Sequence, residues 1–176
     1  QLCIYTPTDY ILPSKIEKYM DMYDSNYVKG GLTQSGREQG IRRLMSINLM
    51  KRMESSVYSF RLTLERIKEL IAGTIKDIND FEHGLRKNSL ELKDLSNTVF
   101  DEDDQNDYKS WKRELEKDKE ILDLLLTMIA DITPAHDSKL QELFDVINDK
   151  IEHPINPGNK KIIIFTAFAD TSGYLY

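Results

Sequence analysis

The chain has 176 residues, of which 40% are hydrophobic and 31% are charged, and it contains only eight glycines and five prolines. This length can bury one substantial core, and this composition favours a helix-rich protein with charged outer faces over a disordered chain. The formal net charge of −6 argues against a simple basic nucleic-acid-binding module, although residues 37–69 hold eight bases against four acids.

Cysteine usage and hydropathy set the expected compartment. Cys3 is the single cysteine, which excludes an internal disulfide, and no apolar run approaches the roughly 20 residues that cross a bilayer. We therefore expect a cytoplasmic protein with no membrane partner. The three histidines lack metal-ligand spacing, so we expect no metal site. Because the chain begins with Gln1 and ends at Tyr176 within a helix-like stretch, we expect it to be a piece of a larger protein.

The first 32 residues are predicted to be a linker or the end of a preceding lobe. Residues 2–5 form a short apolar run that is consistent with a strand. Ser14 and Glu17 have the spacing of a capping box and predict a short amphipathic helix, which a glycine pair follows.

A long helix over residues 44–81 is the dominant prediction. Apolar residues recur there in steps of three and four, which keeps one face of a helix apolar over many turns. Ser35 and Glu38 have capping-box spacing at its start, and Gly84 supplies a left-handed stop. The apolar face consists of Leu49, Met53, Val57, Phe60, Leu64, Ile67, Ile71, Ile75 and Ile78.

A second long helix is predicted over residues 110–132, where apolar residues recur at helical spacing until Pro134. Trp111 lies on its apolar face and is expected to be a core anchor. Because the connection joins one end of both helices, we expect an antiparallel helical hairpin. Between the two, residues 89–99 are predicted as a short helix and the acidic run at 101–107 as an exposed loop.

The last 40 residues combine a helix with a strand-like run. Asp137 and Ser138 predict the start of a helix. Residues 162–165 read Ile-Ile-Ile-Phe, which is typical of a strand buried on both faces in a parallel sheet, and residues 171–176 begin a further helix. Such a strand is not stable alone. We therefore expect it to pair with residues 2–5 or with another copy of the chain, or to pack irregularly against the helices.

Two stretches are the most recognisable parts of the chain: the tail KKIIIFTAFADTSGYL, with DSKLQELFDVI before it, and the run LMSINLMKRMESSVYSFRLTL. The tail resembles the start of the second RecA-like lobe in superfamily 2 helicases of the Swi/Snf type, where a helix with a Ser-Lys-Leu pattern leads to the motif IV strand. The second run resembles the helical region that a bacterial subgroup of these helicases carries between its two lobes.

The resemblance implies that the parent protein is an ATP-dependent DNA helicase or translocase, a hydrolase that uses ATP and Mg²⁺. Residues 33–152 would then be the helical insertion, and residues 153–176 the first strand and helix of the second lobe. The chain itself has no G-x-x-x-x-G-K-[ST] phosphate loop, so we expect it to contain no catalytic residue and no cofactor, and to be inactive alone. Its expected partners are DNA, through the parent protein, and the motor lobes of the same polypeptide.

Five residues are candidates for contact with nucleic acid. Lys51 and Arg52 could contact nucleic-acid phosphates or a lobe surface, although a solvated helix flank is the simpler interpretation for these two. Arg43 and Arg61, which project at a similar angle, could join them. By the resemblance, Thr166 at the end of the predicted strand would place a hydroxyl or an amide near a phosphate, and otherwise it is a turn residue.

The predicted fold class is mainly α: a long antiparallel helical hairpin with additional short helices, plus one or two short β-strands belonging to a truncated α/β lobe. A second function fits this fold as well. The chain could be a non-enzymatic, coiled-coil-like module for protein–protein interaction, and its apolar face also permits a homodimer.

Overall fold

The computed structural model describes residues 2–11, 33–83, 89–92, 98–101 and 105–176. The fold is mainly α, as predicted, and no helix in these ranges is long and apolar enough to cross a membrane. The predicted helix around residues 14–23 and the predicted stop at Gly84 lie outside the described residues. In chain order the elements are α1 (Gln34–Ser55), α2 (Val57–Glu82), β1 (Ser89–Leu92), β2 (Thr98–Asp101), α3 (Gln105–Met128), α4 (Ser138–Glu152) and α5 (Ala169–Leu175), with short 3₁₀ turns at Cys3–Tyr5, Pro7–Tyr10 and Pro134–His136.

The antiparallel hairpin is formed by α2 and α3. At one end the rings of Phe81 and Tyr108 meet edge-on with centroids 5.5 Å apart, and farther along Lys68 pairs with Asp123. The end of α2 thus contacts the start of α3, and an earlier part of α2 contacts a later part of α3. The two helices therefore run in opposite directions. Trp111 is fully buried and is the core anchor that the sequence predicted. The buried apolar residues of the hairpin are Leu64, Ile67, Ile71, Ile78, Phe81, Tyr108, Trp111, Leu115 and Leu122.

The single long helix predicted over residues 44–81 is wrong, because the chain breaks at Ser56 into α1 and α2. Ser56 has an extended backbone, with φ −165° and ψ 134°. Its hydroxyl accepts hydrogen bonds from the N–H groups of Tyr58 (3.1 Å) and Ser59 (3.4 Å). Ser56 therefore supplies an acceptor that the first turn of α2 otherwise lacks.

The start of α1 also differs from the prediction. Thr33, and not Ser35, caps the helix, since Thr33 Oγ1 accepts a hydrogen bond from the N–H of Gly36 (3.1 Å). Glu38 is 2% exposed, and its carboxylate accepts hydrogen bonds from the backbone N–H (3.0 Å) and the hydroxyl (2.5 Å) of Thr8. Burial raises the pKa of Glu38. Glu38 has capping-box spacing from Ser35, but its carboxylate instead binds Thr8, which lies 30 residues earlier in the chain.

Residues 2–5 do not form the predicted strand. They belong to a 3₁₀ turn that packs into the core, with Cys3 buried. The N–H of Cys3 donates to the carboxylate of Asp118 (2.8 Å), and Trp111 Nε1 donates to the carbonyl of Cys3 (3.0 Å). Side chains of α3 thus satisfy backbone groups that would otherwise need a neighbouring strand.

The described residues of the predicted short helix at 89–99 form strands instead. They include β1, which pairs antiparallel with β2 so that Ser89 lies opposite Asp101. The Thr-Val-Phe sequence in β2 has high β-propensity, which agrees with this pairing. The described parts of the acidic run predicted as a loop belong to regular elements, because Asp101 ends β2 and Gln105 begins α3.

Residues 162–165 have no regular secondary structure, so their predicted pairing with residues 2–5 is wrong. Ile163 is 79% exposed and Phe165 is 92% exposed. A β-prone run without a neighbouring strand lacks partners for its backbone groups, and residues 2–5 are held elsewhere. Pairing with another copy of the chain stays a prediction. The adjoining helix α4 starts as predicted, with Asp137 accepting a hydrogen bond from the N–H of Leu140 (3.1 Å).

Candidate functional site at the helix break

A cluster of charged, hydroxyl and aromatic side chains lies where the α1–α2 break meets the C-terminal helix α5. Because Ser56 ends one helix and begins the next, residues on both sides of it can contact the same short helix. We call this group the break cluster. It comprises Arg52, Ser55, Tyr58, Ser59 and Arg66 from α1 and α2, and Phe168, Asp170, Thr171 and Tyr174 from the C-terminal segment.

Two arginines hold Asp170. Arg52 Nη1 lies 2.5 Å from Asp170 Oδ2, and Arg66 donates through both terminal nitrogens, one to each carboxylate oxygen, at 3.0 Å. Hydrogen bonds from Arg66, and then from Arg52, lower the pKa of Asp170 to about 2. The Arg66 side chain is 60% exposed, whereas those of Arg52 and Asp170 are 18% and 16% exposed. Two cations therefore share one carboxylate at this point, and Glu69 also acts electrostatically on Arg66.

Arg52 is oriented by an aromatic contact as well as by its ion pair. Its guanidinium carbon lies 4.8 Å from the ring centroid of Phe168, which is within the range of a cation–π interaction. Its Nε atom is buried and has no hydrogen-bond partner among the described residues. The guanidinium group therefore has a fixed position and retains an unused donor.

Three hydroxyl groups join the break to α5. Thr171 Oγ1 lies 2.7 Å from Ser59 Oγ and 3.1 Å from Ser55 Oγ. Ser59 is fully buried and Thr171 is 7% exposed, so these hydroxyls would be costly to leave without partners. The network fixes the first turn of α5 against the first turn of α2.

A tyrosine pair completes the cluster. The rings of Tyr58 and Tyr174 stack with centroids 4.8 Å apart and an interplanar angle of 10°. The Tyr174 hydroxyl donates to Asp137 Oδ2 (3.3 Å), which connects α5 to the residue that caps α4. Burial, together with the nearby carboxylate of Asp137, raises the pKa of Tyr174. The C-terminal helix is therefore held by charge, hydrogen bonding and aromatic packing together.

Three of the five predicted nucleic-acid-binding residues lie on α1. Arg43 and Lys51 are exposed there, and neither has a hydrogen-bond or ion-pair partner among the described residues. Arg43 lines an open groove between α1 and the N-terminal segment, next to Arg42 and Leu2. Arg52 is instead part of the break cluster, where it already holds a carboxylate.

The other two predicted residues have local structural contacts. Arg61 Nη2 donates to the carbonyls of Ile129 (2.5 Å) and Ile132 (3.1 Å), which follow the C-terminal end of α3. Thr166 is exposed, and its Oγ1 accepts a hydrogen bond from the N–H of Phe168 (3.3 Å), as a turn residue does. The five residues therefore do not converge on one site.

Sequence reasoning missed most of the break cluster. Arg52, Ser55, Ser59 and Arg66 are separated by three, four and seven residues, which places them near one face of a helix, and this polar line was the available signal. Asp170 lies in the tail KKIIIFTAFADTSGYL but is not among the five predicted site residues. No local pattern connects residues 52 and 170, because they are 118 positions apart.

The side chains of the break cluster are of the kinds that bind a ligand. Guanidinium groups recognise carboxylates and phosphates through paired N–H donors, and the hydroxyl groups can donate or accept hydrogen bonds. Within the described part of the chain, no group of three or more His, Cys, Asp or Glu side chains is placed to hold a metal ion.

Comparisons with known proteins give no relative for this chain. No protein-family model matches it, and no curated protein and no solved structure matches it either. The similarity to Swi/Snf-type helicases therefore rests on its two stretches of sequence.

Proposed function

We propose that this chain is the helical arm between the two motor lobes of an ATP-dependent DNA helicase or translocase. One observation carries the proposal: the two stretches that resemble this family are in contact. Arg52 binds Asp170, Ser59 bonds Thr171, and Tyr58 stacks on Tyr174 across 112 to 118 residues of sequence.

An arm of this kind must be stiff and must be fixed to the lobe that follows it. The α2–α3 hairpin supplies the stiffness, since its buried apolar residues pack along both helices. The break cluster supplies the attachment, since it fixes α5 next to the β-prone run at residues 162–165. The exposure of that run fits a strand whose sheet is formed by other parts of the parent protein.

The proposed DNA contact lies on α1. Arg43 and Lys51 are exposed on this helix, and their charges are available to phosphates. In the proposed function they bind the sugar–phosphate backbone without reading its sequence. ATP and Mg²⁺ would bind elsewhere in the parent protein, because this chain has no phosphate loop.

A second candidate function is a helical module for protein–protein interaction. The observation that favours it is the exposed apolar surface of α1, where Leu44 is 64% exposed, Met50 is 59% exposed and Ile47 is 48% exposed. These positions recur every three residues and lie along one side of the helix, so they form an exposed apolar stripe of the kind that a partner covers.

The gene sequence separates the two functions. Under the helicase proposal, the reading frame continues beyond these 176 codons and encodes a phosphate loop upstream and an arginine-bearing motif downstream. The full-length product then hydrolyses ATP faster when DNA is added. A complete reading frame without either motif would exclude the helicase and leave the interaction module.

Fluorescence anisotropy with a labelled DNA oligonucleotide tests the contact on α1. Two phosphate contacts predict that affinity falls about tenfold between 50 and 200 mM salt. Replacing Arg43 and Lys51 with glutamine should remove most of this dependence. The matched control replaces Lys76 and Lys109, which are exposed on α2 and α3, with glutamine and makes the same change in net charge. Equal losses in both double variants would contradict a specific contact on α1.

A further inference from the structure

The break cluster contains an anion site that the chain occupies with its own carboxylate. Arg52 and Arg66 both point their terminal nitrogens at Asp170, and Arg66 grips it through two parallel hydrogen bonds. Paired N–H donors of this kind fit the oxygens of a phosphate as well as those of a carboxylate. A monoanionic carboxylate balances only one of the two positive charges.

The site is accessible to a ligand from the Arg66 side. The Arg66 side chain is 60% exposed, and the stacking of Arg52 on Phe168 keeps the second guanidinium group in place. Lys51 precedes Arg52 on α1 and is exposed, so a polyanion that binds Lys51 reaches the neighbourhood of the site. The described residues place no second carboxylate within ion-pair distance of Arg52 or Arg66.

The segment that carries Asp170 contributes no residue to the hydrophobic core of the hairpin. Helix α5 has only seven residues, too few to be stable alone, and it depends on its contacts with the break. The chain before it, at residues 162–165, has no regular structure and is exposed. Loss of the Asp170 contact would therefore weaken the attachment of α5, which the Thr171 hydroxyl network and the Tyr58–Tyr174 stacking also hold, and leave the α2–α3 hairpin intact.

We infer that a backbone phosphate of nucleic acid competes with Asp170 for the site formed by Arg52 and Arg66, and that its binding loosens the attachment of α5 to the helix break. The inference rests on the proposed function and adds a consequence to it. DNA bound along α1 would loosen the attachment of the arm to the lobe that follows, so that DNA binding and the position of that lobe are coupled.

The first test measures DNA affinity of the Asp170→Asn variant. Removing the competing carboxylate should tighten binding about tenfold, which is the effect of one added charge-assisted contact. The slope of log affinity against log salt concentration should become steeper by the amount expected for about one more phosphate contact. The control is Asp123→Asn, which makes the same change in net charge at a carboxylate that also contacts two cations, Lys68 and Lys119. Adding Arg66→Gln to Asp170→Asn should abolish the gain. Equal gains from Asp170→Asn and Asp123→Asn would overturn the inference.

The second test follows the loosening of α5 directly. Hydrogen exchange measured by mass spectrometry should show faster exchange in peptides covering residues 169–176 when DNA binds the wild-type chain, with little change in α2 and α3. Unchanged or slower exchange there, with DNA bound, would overturn the inference and leave the DNA contact standing. An absence of DNA binding by wild type and by Asp170→Asn would overturn both. Inorganic phosphate at matched concentration should have a much smaller effect, and an equal effect would exclude nucleic acid as the specific ligand.

Discussion

Replacing Leu115 with alanine should strongly destabilise the hairpin. Leu115 is fully buried on α3, within the cluster that α2 and α3 share. The substitution removes three carbon atoms from the core, worth about 2.4 kcal/mol of transfer free energy at roughly 0.8 kcal/mol each. The unfilled cavity adds to this loss, so we expect the free energy of unfolding to fall by about 3 to 5 kcal/mol.

The assay is unfolding in urea, followed by the fluorescence of Trp111, which is the single tryptophan and is itself buried in the same cluster. With a slope near 2 kcal/mol per molar urea, the midpoint should fall by roughly 1.5 M or more. Leu124→Ala on the same helix is the matched control, because Leu124 is 60% exposed and should cost within about 0.5 kcal/mol. Midpoints that fall equally in the two variants would refute the packing of α3 described here.

Two further predictions test the helix break and the ion pair beside it. Ser56→Ala removes the cap of α2 and should lower the free energy of unfolding by about 1 kcal/mol, whereas Ser35→Ala, at the cap that the sequence wrongly predicted, should change it by less than about 0.5 kcal/mol. Asp170 has its pKa lowered to about 2, below the unfolded value of about 3.9, so its stabilising contribution is complete above about pH 5 and is lost as the pH falls towards 2. The difference in unfolding free energy between wild type and Asp170→Asn should therefore be constant from pH 7 to 5 and shrink between pH 4 and 2, and a difference that persists unchanged at pH 2 would contradict the ion pair.

The parts of the fold that follow from local burial could be predicted from the sequence. The hairpin was predictable because an apolar stripe of period 3.6 must be covered, and the two stripes face each other. The burial of Trp111 and the cap at Asp137 followed for the same local reasons. The break at Ser56 was not predictable from periodicity, because the apolar positions keep their spacing across it.

The parts that depend on distant residues could not be predicted. Glu38 has the spacing of a capping residue, but its carboxylate binds Thr8 instead. Residues 162–165 have the composition of a buried strand. A strand also needs neighbouring strands to pair with, and the composition of one segment does not show whether they are present. Of the break cluster, the sequence identified Arg52 as a possible anion contact but not Asp170 as its partner.

The two ends of the described chain are attached to the hairpin in physically different ways. At the N-terminal end, Cys3 and Thr8 are bonded by Asp118 and Glu38, which are 7% and 2% exposed, so releasing them would break hydrogen bonds to buried carboxylates. At the other end, the ion pair on Asp170 reaches the surface, where salt screens it and other anions can compete. In the proposed function, an arm whose C-terminal attachment is the more easily loosened of the two would transmit motion to the lobe at that end.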